Sequence, residues 1–334
     1  MAEIQVAALG NAIVDVIAQV DDSFPEKHGI VRGGMMLIDT AQAEEITGAF
    51  ADTVMVAGGS AGNTVACISS FGGQSRFIAK VADDDLGTVY RESMSALGAL
   101  FETPSYNEGV PTGRSLISVT PDAQRSMATF LGAAVHLSAD DIQEGELEGA
   151  QVCYIEGYLF EGPLSRGACI EAASRAKGSG RFTAMTLADS GMVERQLTEL
   201  KPFLVEQIDM IFANDDEAKM LTGEDDVEAA AKAMRDISTW GAITLGEKGS
   251  LVFGPQGDLI HVDAIAPTEL VDTTGAGDAY AAGFLFGFTT CAPLDVCGKL
   301  GSLAASEVIS HMGARPETSL KKLAAERGLL AHIG

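Results

Sequence analysis

One segment of the chain brings glycines, hydroxyl groups and carboxylates together at a spacing that could do chemistry. Residues 272–278 read Asp-Thr-Thr-Gly-Ala-Gly-Asp, and an apolar stretch follows from Ala279. This pattern predicts a helix that begins here, with Thr274 or Gly275 as its cap. The free amide groups of a helix's first turn attract anions, and a carboxylate one turn inside can take a proton from a hydroxyl held beside it.

The glycines of this segment need an explanation that a plain helix start does not supply. In a helical first turn each glycine costs about 1 kcal/mol relative to alanine. The acidic residue at position 278 returns only about 0.3 to 1 kcal/mol through the helix dipole. A ligand that must approach the bare backbone would explain the glycines. On spacing alone, the capped helix and the anion site remain equal alternatives.

Two common nucleotide-binding motifs do not account for this segment. The chain nowhere contains Gly-x-x-x-x-Gly-Lys-Ser/Thr, which disfavours a P-loop ATPase. If the segment is compared with a dinucleotide fingerprint, Tyr280 stands where the third glycine belongs, and the first apolar run ends at Leu9 without that fingerprint. A nicotinamide-dependent dehydrogenase is therefore a weak alternative.

Charge restricts the partners. The 334 residues include 22 Lys and Arg against 47 Asp and Glu, which gives a formal net charge of −25. An acidic surface of this kind repels polyanions, so we expect no nucleic acid partner and no membrane association. The same field opposes a nucleotide, so a phosphate site here must be built locally from backbone amides, a metal ion and a few cations.

Cysteine usage and the apolar segments predict a cytoplasmic protein. The chain has 5 Cys and no Cys-x-x-Cys pair, which is typical of reduced, buried thiols. The start lacks a basic region, and the short apolar run Ile4 to Leu9 is interpreted as a first strand rather than a secretory signal. The stretch Ala279 to Leu294 is shorter than the roughly 20 residues that span a bilayer, and we interpret it as one buried helix.

The second half of the chain alternates short β-rich runs with helical periodicity, which predicts a parallel sheet covered by helices. Candidate strands are 152–155, 182–187, 210–213, 242–245 and 251–253, and candidate helices are about 164–177, 193–206, 215–222 and 226–239.

The first half predicts a small β layer instead. Residues 115–120 and 126–131 flank the turn 121–124 as a hairpin, and 12–20 and 35–38 are also strand-like. We expect one domain over 1–334, with a lid built from inserted segments at about 12–50 and 105–132. A lid over a crevice would keep water from a reactive site.

Several segments, in order, resemble the PfkB or ribokinase-like carbohydrate kinase family, and most of all its adenosine kinase branch with the bacterial relatives. Residues 272–278 resemble the family's second signature, and Gly-Gly-Ser-Ala-Gly-Asn at 58–63 resembles the first. The match covers nearly the whole chain. It implies an α/β fold: a ribokinase-like three-layer core with a mostly parallel sheet, helices on both faces and a small inserted β-sheet lid.

The resemblance assigns the reacting centre to the glycine-rich segment. Asp278 matches the family's catalytic base, and the amides of Gly275, Ala276 and Gly277 match the groups that stabilise charge on the transferred phosphoryl group. These amides would supply the local positive potential that the net charge requires. ATP as phosphoryl donor and Mg²⁺ are implied with them.

The nucleotide side is implied by residues that also have plain structural interpretations. Asn214 and Glu217 resemble the family's Asn-x-x-Glu motif, which positions Mg²⁺ through water and phosphate, yet the same spacing forms a helix capping box. Thr244 and Gly246 match positions near the nucleotide phosphates, although a turn at a strand end is equally typical. Thr274 joins this set.

A lid arginine completes the nucleotide side. Arg125 matches an arginine that can swing from the lid towards the transferring phosphate, and its alternative is an exposed turn arginine. The region near Asp272 and Thr274 is a candidate site for K⁺, because parts of the family depend on a monovalent cation. A monomer and a homodimer are both compatible with the sequence.

The acceptor side is implied by the first half. Asp15 matches the carboxylate that accepts hydrogen bonds from ribose or sugar hydroxyls, for which an acceptor-only group is suited. Gly59 and Asn63 match further substrate contacts, with close helix packing as the alternative for the glycine. The alternative for Asp15 is a solvent-facing side chain on an edge strand.

Three further residues bear on the choice of acceptor. Leu131 and Ala133 fall where the adenosine branch lines an apolar base slot, although such residues are more often plain core. Glu156 stands where ribose kinases carry a sugar-binding Glu, which would suit a polar sugar.

The hypotheses are thus three. The first is a kinase acting on the 5′-hydroxyl of a nucleoside, foremost adenosine. The second is a sugar kinase of the ribokinase or fructokinase type. The third, a non-catalytic sensor, is disfavoured because Asp278 is present.

Overall fold

The computed structural model describes residues 4–122, 124–257 and 259–333. The strands are β1 Ile4–Leu9, β2 Ile13–Gln19, β3 Met35–Leu37, β4 Thr53–Ala57, β5 Ser75–Ile78, β6 Gly113–Val119, β7 Arg125–Phe130, β8 Ala150–Glu156, β9 Phe182–Thr186, β10 Met210–Asn214, β11 Trp240–Thr244, β12 Ser250–Phe253 and β13 Leu259–Val262. The α-helices are α1 Phe24–Lys27, α2 Thr40–Ala49, α3 Ser60–Ser70, α4 Asp85–Ala96, α5 Pro163–Gly178, α6 Ser190–Gln207, α7 Asp215–Thr222, α8 Val227–Met234, α9 Ala276–Thr289, α10 Leu294–Val308 and α11 Leu320–Glu326.

The larger sheet has eight strands in the order β13-β12-β11-β10-β9-β8-β1-β5. Its strands are parallel from β11 to β5, whereas β12 and β13 are antiparallel to their neighbours. Successive side chains of a strand point to opposite faces, so a sheet covered on both sides buries both sets. In β1, Val6 and Ala8 join one core cluster, while Ala7 and Leu9 join the other.

The two clusters place helices on both faces of this sheet. Buried residues of α3, α4, α9, α10 and α11 belong to the first cluster, and those of α5, α6, α7 and α8 belong to the second. The predicted three-layer α/β core with a mostly parallel sheet is confirmed. Two of the predicted helix bounds differ: α8 ends at Met234 rather than near 239, and α6 begins three residues before the predicted 193.

The second sheet has five strands in the order β3-β7-β6-β2-β4. Strands β6 and β7 form the predicted antiparallel hairpin, and the turn residue 123 between them lies outside the described residues. Strand β4 adds residues 53–57 to the sheet, beyond the segments predicted for this layer, and pairs antiparallel with β2.

The prediction of one helix from Ala279 to Leu294 is wrong. Helix α9 ends at Thr289, and α10 begins at Leu294 after a turn in which Cys291 has a φ of 60°. Pro293 precedes α10 as its N-cap, and a proline cannot continue α9 because it has no N–H to donate and its ring clashes with the preceding turn. Within the described residues, none of the helices combines the length and apolarity that crossing a bilayer takes.

Candidate active site

Seven of the predicted site residues meet where the parallel strands of the large sheet end and α9 begins. Ligands of open α/β sheets bind at this carboxyl edge. A cavity of about 290 Å³ lies there. Its lining includes these predicted residues: Asn214, Glu217, Thr244, Gly275, Ala276, Gly277 and Asp278. Asn214 ends β10, Glu217 lies in the first turn of α7 and Thr244 ends β11, while the start of α9 supplies the others.

The carboxylate of Asp278 is held by two donors from α3. Ser60 Oγ donates to one oxygen at 2.6 Å, and Asn63 Nδ2 donates to the other at 3.1 Å. Burial of the carboxyl group raises the pKa of Asp278 to about 6, and the two hydrogen bonds partly offset that rise. The group is therefore ionised at neutral pH, oriented on both oxygens, and more basic than an ordinary Asp, which suits a proton acceptor.

The two glycines at the start of α9 have different physical reasons. Gly275 caps the helix with a φ of 78°, and a Cβ on it would lie 2.5 Å from the Cβ of Ala314. Local backbone and packing thus require Gly275 without any ligand. Gly277 has no atom within 4 Å of where its Cβ would stand, so only this glycine leaves open space above the backbone.

The predicted amide set is only partly available. The N–H of Ala276 donates to the carbonyl of Thr273 at 3.2 Å. The amide of Gly277 lies in the first turn of α9, where the helix itself offers no acceptor. Of the three predicted amides, Ala276 already has an internal partner, so an anion at this helix start would use the amides of Gly275 and Gly277.

Asn214 and Glu217 form the capping box that is the structural alternative for their spacing. Asn214 Oδ1 accepts from the N–H of Glu217 at 2.8 Å, while the Glu217 carboxylate accepts from the N–H and Nδ2 of Asn214 at 2.9 and 2.8 Å. Burial raises the pKa of Glu217 to about 7. Both residues also line the cavity, so capping and ligand contact are compatible.

The oxygens of this pair fit Mg²⁺ only as part of a larger coordination set. Carboxylate and amide oxygens are hard donors of the kind that Mg²⁺ prefers, and the ion usually keeps several waters and substrate phosphates. No group of three His, Cys, Asp or Glu side chains among the described residues is arranged to hold a metal ion. The protein would thus contribute little beyond Glu217 and Asn214.

Three other nucleotide-side predictions, Thr244, Gly246 and Thr274, differ in their relation to the cavity. Thr244 lines it, but Gly246 opens a short 3₁₀ turn, Gly246–Lys248, and is not among the described lining residues. Thr274 is exposed, and its N–H donates to Asp272 Oδ1 at 3.0 Å.

Arg125 is not an exposed turn residue. It begins β7, and its Nη1 lies 2.5 Å from Asp272 Oδ2, with 14% and 9% of the two side chains exposed. The same Asp272 oxygen accepts from the N–H of Gly313 at 3.2 Å. This ion pair joins the second sheet to the loop before α9. Arg125 faces the predicted site, but its partner in this structure is a carboxylate.

The acceptor side is built where β2 passes the start of α3. A Cβ on Gly58 would lie 2.7 Å from Asp15 Oδ2, and one on Gly59 would lie 2.2 Å from the carbonyl oxygen of Asn11. Gly59 also has a φ of 82°. Burial raises the pKa of Asp15 to about 6, and the nearby charges of Arg125 and Arg315 oppose the rise. The first signature is therefore packed directly on the Asp15 carboxylate.

The Glu156 carboxylate, predicted as a sugar contact, is held by hydrogen bonds within the protein. The residue is 1% exposed, and its carboxylate accepts from Asn11 Nδ2 at 2.8 Å and from the N–H groups of Ala61 and Asn11 at 3.0 and 3.3 Å. Burial raises its pKa to about 7. The chain turn after β1 and the start of α3 both leave amides without partners, and Glu156 satisfies them. Its carboxylate therefore ties two loops together beneath the site.

The two residues predicted to line a base slot, Leu131 and Ala133, differ in solvent exposure. Leu131 is partly exposed, whereas Ala133 has 0% exposure inside the 3₁₀ turn Gly132–His136. Ala133 is therefore core in this structure, which was the alternative interpretation of its sequence position.

Sequence reasoning missed three residues of the site: Ser60, Asn11 and Arg315. Ser60 sits inside the first signature and could have been found there as the first residue of α3. Arg315 donates from Nε to Asn63 Oδ1 at 3.5 Å, across 252 positions of sequence. No local pattern marks a contact between residues so far apart.

Comparisons with known proteins identify the family and its relatives. The family model described as pfkB family carbohydrate kinase matches residues 5–321. A solved structure of adenosine kinase from Sinorhizobium meliloti is 43% identical, with a TM-score of 0.89, and the match covers 98% of this chain and 100% of that chain. A probable sugar kinase from Rhizobium etli is 39% identical, with a TM-score of 0.90 and the same coverage.

A curated relative matches a part of the chain. A cytidine kinase from Thermococcus kodakarensis is 41% identical over 114 residues, which are 33% of this chain and 40% of that protein. The aligned part thus spans less than half of that relative's length.

Proposed function

The chain belongs to the pfkB family of carbohydrate kinases, and on that premise we propose that it transfers the terminal phosphoryl group of ATP to the 5′-hydroxyl of a nucleoside, with adenosine as the preferred acceptor. It is a small-molecule kinase. The observation that carries the proposal is the Asp278 carboxylate, held by Ser60 and Asn63 beside the open first turn of α9.

In the proposed reaction the acceptor hydroxyl gives its proton to Asp278 as its oxygen attacks the terminal phosphorus. A phosphorus–oxygen bond forms to the acceptor, and the bond to the bridging oxygen of ATP breaks, so ADP leaves. Phosphoryl transfer needs little covalent help from the protein, and catalysis comes from alignment and stabilisation of charge. The open first-turn backbone at Gly277 supports the second role.

Mg²⁺ bound with the nucleotide would supply charge neutralisation between the phosphates. Glu217 and Asn214 would hold it through water, because their direct hydrogen bonds to each other already use part of their capacity. The protein carries a net charge of −25, so these cationic and backbone groups have to act locally.

We extend the proposal to the second sheet, which would act as a lid over the acceptor. Asp15 on β2 and Arg125 on β7 both come from this sheet, and the ion pair of Arg125 with Asp272 closes it against the loop before α9. In the productive complex Arg125 would exchange Asp272 for a phosphate oxygen. A guanidinium suits that exchange because it pairs with carboxylates and phosphates alike.

A free sugar is the second candidate acceptor, supported by the similarity to the Rhizobium etli probable sugar kinase. The Glu156 carboxylate, which could bind a sugar hydroxyl, already accepts hydrogen bonds from Asn11 and Ala61. That residue offers little to a sugar hydroxyl in this structure.

An acceptor panel tests the choice. ADP release from MgATP is measured with adenosine, cytidine, ribose or fructose as acceptor, and thermal unfolding is followed with each ligand. We expect adenosine to support the fastest turnover and to raise the melting temperature most, since only a ligand of the native site stabilises strongly. Fast turnover with ribose or fructose and none with adenosine would reject the nucleoside assignment.

A further inference from the structure

The side-chain amide of Asn63 lies between an anion and a cation. Its Nδ2 donates to Asp278 Oδ2 at 3.1 Å, and its Oδ1 accepts from Arg315 Nε at 3.5 Å. Asn63 is 6% exposed, so water cannot replace either partner easily. The amide therefore links the carboxylate predicted to be the catalytic base to a guanidinium from the opposite end of the sequence.

Only one of the two orientations of this amide is compatible with both neighbours. A guanidinium has donors and no acceptor, whereas an ionised carboxylate has acceptors and no donor. If the amide rotated by half a turn, its NH₂ group would face Arg315 and its oxygen would face Asp278. Both contacts would become repulsive, so Arg315 selects the orientation in which Asn63 donates to Asp278.

Arg315 is held in place by α4 and by the contacts of the two residues that precede it. Its Nη1 donates to Ser93 Oγ on α4 at 2.8 Å. The two preceding residues also contact the site, because the N–H of Gly313 donates to Asp272 and Ala314 packs against Gly275. Residues 313–315 thus touch the loop before α9, the cap of α9 and α3 in succession.

We propose that Arg315 is a positioning residue of the kinase reaction, which acts through Asn63 to aim and hold the Asp278 carboxylate. The proposal rests on the proposed function, since it takes Asp278 as the base. It assigns no contact between Arg315 and either substrate, so its removal should affect the rate of the chemical step more than the binding of the acceptor.

The surroundings of Arg315 give its charge a second effect. The titratable groups that face it are Asp15 on β2, Tyr90 on α4 and Cys67 on α3. Its positive charge opposes the rise in the pKa of Asp15 that burial causes. Loss of the charge should therefore move the acid limb of the pH profile to higher pH, whereas loss of the hydrogen bond alone should not.

A double-mutant cycle separates positioning from plain stability. We expect Arg315→Met to lower kcat by about tenfold or more, because small misplacement of a reacting group is costly, and to change the KM of the acceptor much less. In an Asn63→Ala background the same change should lower kcat by less than about twofold, since residues that act through one another are not additive. Arg315→Lys should lower kcat while it keeps the acid limb near that of the wild type.

The matched control is Arg91→Met. Arg91 is another partly buried arginine, on α4, but its guanidinium donates to the carbonyls of Phe101 and Thr103, away from Asn63. This control should lower the melting temperature and leave kcat near the wild-type value in both backgrounds.

The outcomes distinguish this inference from the proposed function. If Arg315→Met and Asn63→Ala multiply in their effects on kcat, Arg315 does not act through Asn63 and the inference is wrong. If Asp278→Asn keeps wild-type turnover, the base assignment fails first and the inference fails with it. Should Arg315→Met not fold, Arg315→Lys and Arg315→Gln are put through the same cycle, with the same criterion.

Discussion

Lowering the pH from 8 to 5 should reduce kcat/KM for the acceptor about a hundredfold. Activity requires Asp278 and Asp15 in their ionised forms, and at pH 5 both side chains are largely protonated. Burial raises the pKa of Asp278 and that of Asp15 to about 6 each. An acid with a raised pKa takes up its proton at higher pH, so activity is lost as the pH falls through 6.

The size of the effect follows from these two values. At pH 5 a carboxyl group with a pKa of about 6 is ionised in about a tenth of the molecules, and two independent groups are both ionised in about a hundredth. At the usual pKa of an Asp, about 4, roughly nine tenths would remain ionised at pH 5. A profile that falls with a slope of two below pH 6 is therefore the expected signature.

The assay measures ADP release at saturating MgATP and low acceptor concentration from pH 4.5 to 8.5. Under these conditions kcat/KM for the acceptor reports ionisations of the enzyme with MgATP bound, in which Mg²⁺ would keep Glu217 ionised. Two variants separate the carboxylates from protonation of ATP. Asp15→Asn leaves one of the two carboxyl groups, so the acid limb of its kcat/KM profile should fall with a slope of one from the variant's own activity at high pH. Ser60→Ala removes a hydrogen bond that lowers the pKa of Asp278, so its acid limb should move to higher pH.

Protonation of Asp278 and Asp15 is not expected to unfold the protein. For these two carboxyl groups the folded state has the higher pKa, so it binds protons more readily than the unfolded chain, and their contribution to stability grows as the pH falls through 6. Circular dichroism in the same buffers checks this. A kcat/KM that stays level down to pH 5, or a Ser60→Ala profile with an unmoved midpoint, would refute the reasoning.

Further substitutions test single parts of the site. Asp278→Asn should lower kcat by about 10² to 10⁴ and leave the acceptor's Kd within a few-fold, because general base catalysis is typically of that size; calorimetry and turnover together check it, and substantial residual activity would reject the base. Gly275→Ala should destabilise the protein in a thermal melt by about 1 kcal/mol or more, since its backbone is left-handed and Ala314 blocks the Cβ. Gly277→Ala should leave the melting temperature equal or higher, because the added Cβ meets no protein atom. It should raise the KM for ATP, because the Cβ would fill the space that a phosphate would use; a loss of stability equal to that of Gly275→Ala would contradict this. Glu156→Gln should destabilise by about 1 to 3 kcal/mol in denaturant titrations, because an NH₂ group would then face N–H donors, and an unchanged midpoint would argue against the proposed tie between the loops.

Much of the core could be predicted because its signals are local. The alternation of apolar runs with helical periods predicted the strands β8 to β12 and most of their helices, and strand β1 was predicted with its observed bounds. A hairpin needs only two strands and a short turn, so β6 and β7 were also visible in the sequence. The break between α9 and α10 was not predicted, because the apolar stretch continues through it and only Pro293 marks it.

The site divides in the same way. The segment 272–278 carries its own chemistry, since a helix start, its glycines and its carboxylate are neighbours in sequence. From residue types and order, together with a family resemblance, the sequence by itself determined an α/β kinase and predicted Asp278 as its base. Which side chains face the ligand depends on packing among distant elements, and no local pattern reports that.

Tertiary structure alone decided what the remaining polar groups do. Glu156 turned inwards because two chain turns left buried amides that needed an acceptor, and a buried donor without a partner is costly. Arg125 forms an ion pair with Asp272, and Arg315 donates a hydrogen bond to Asn63, 252 positions away in the sequence. Such pairings are set by where the fold leaves unsatisfied charge and hydrogen-bonding groups, which can be known only once all the elements are in place.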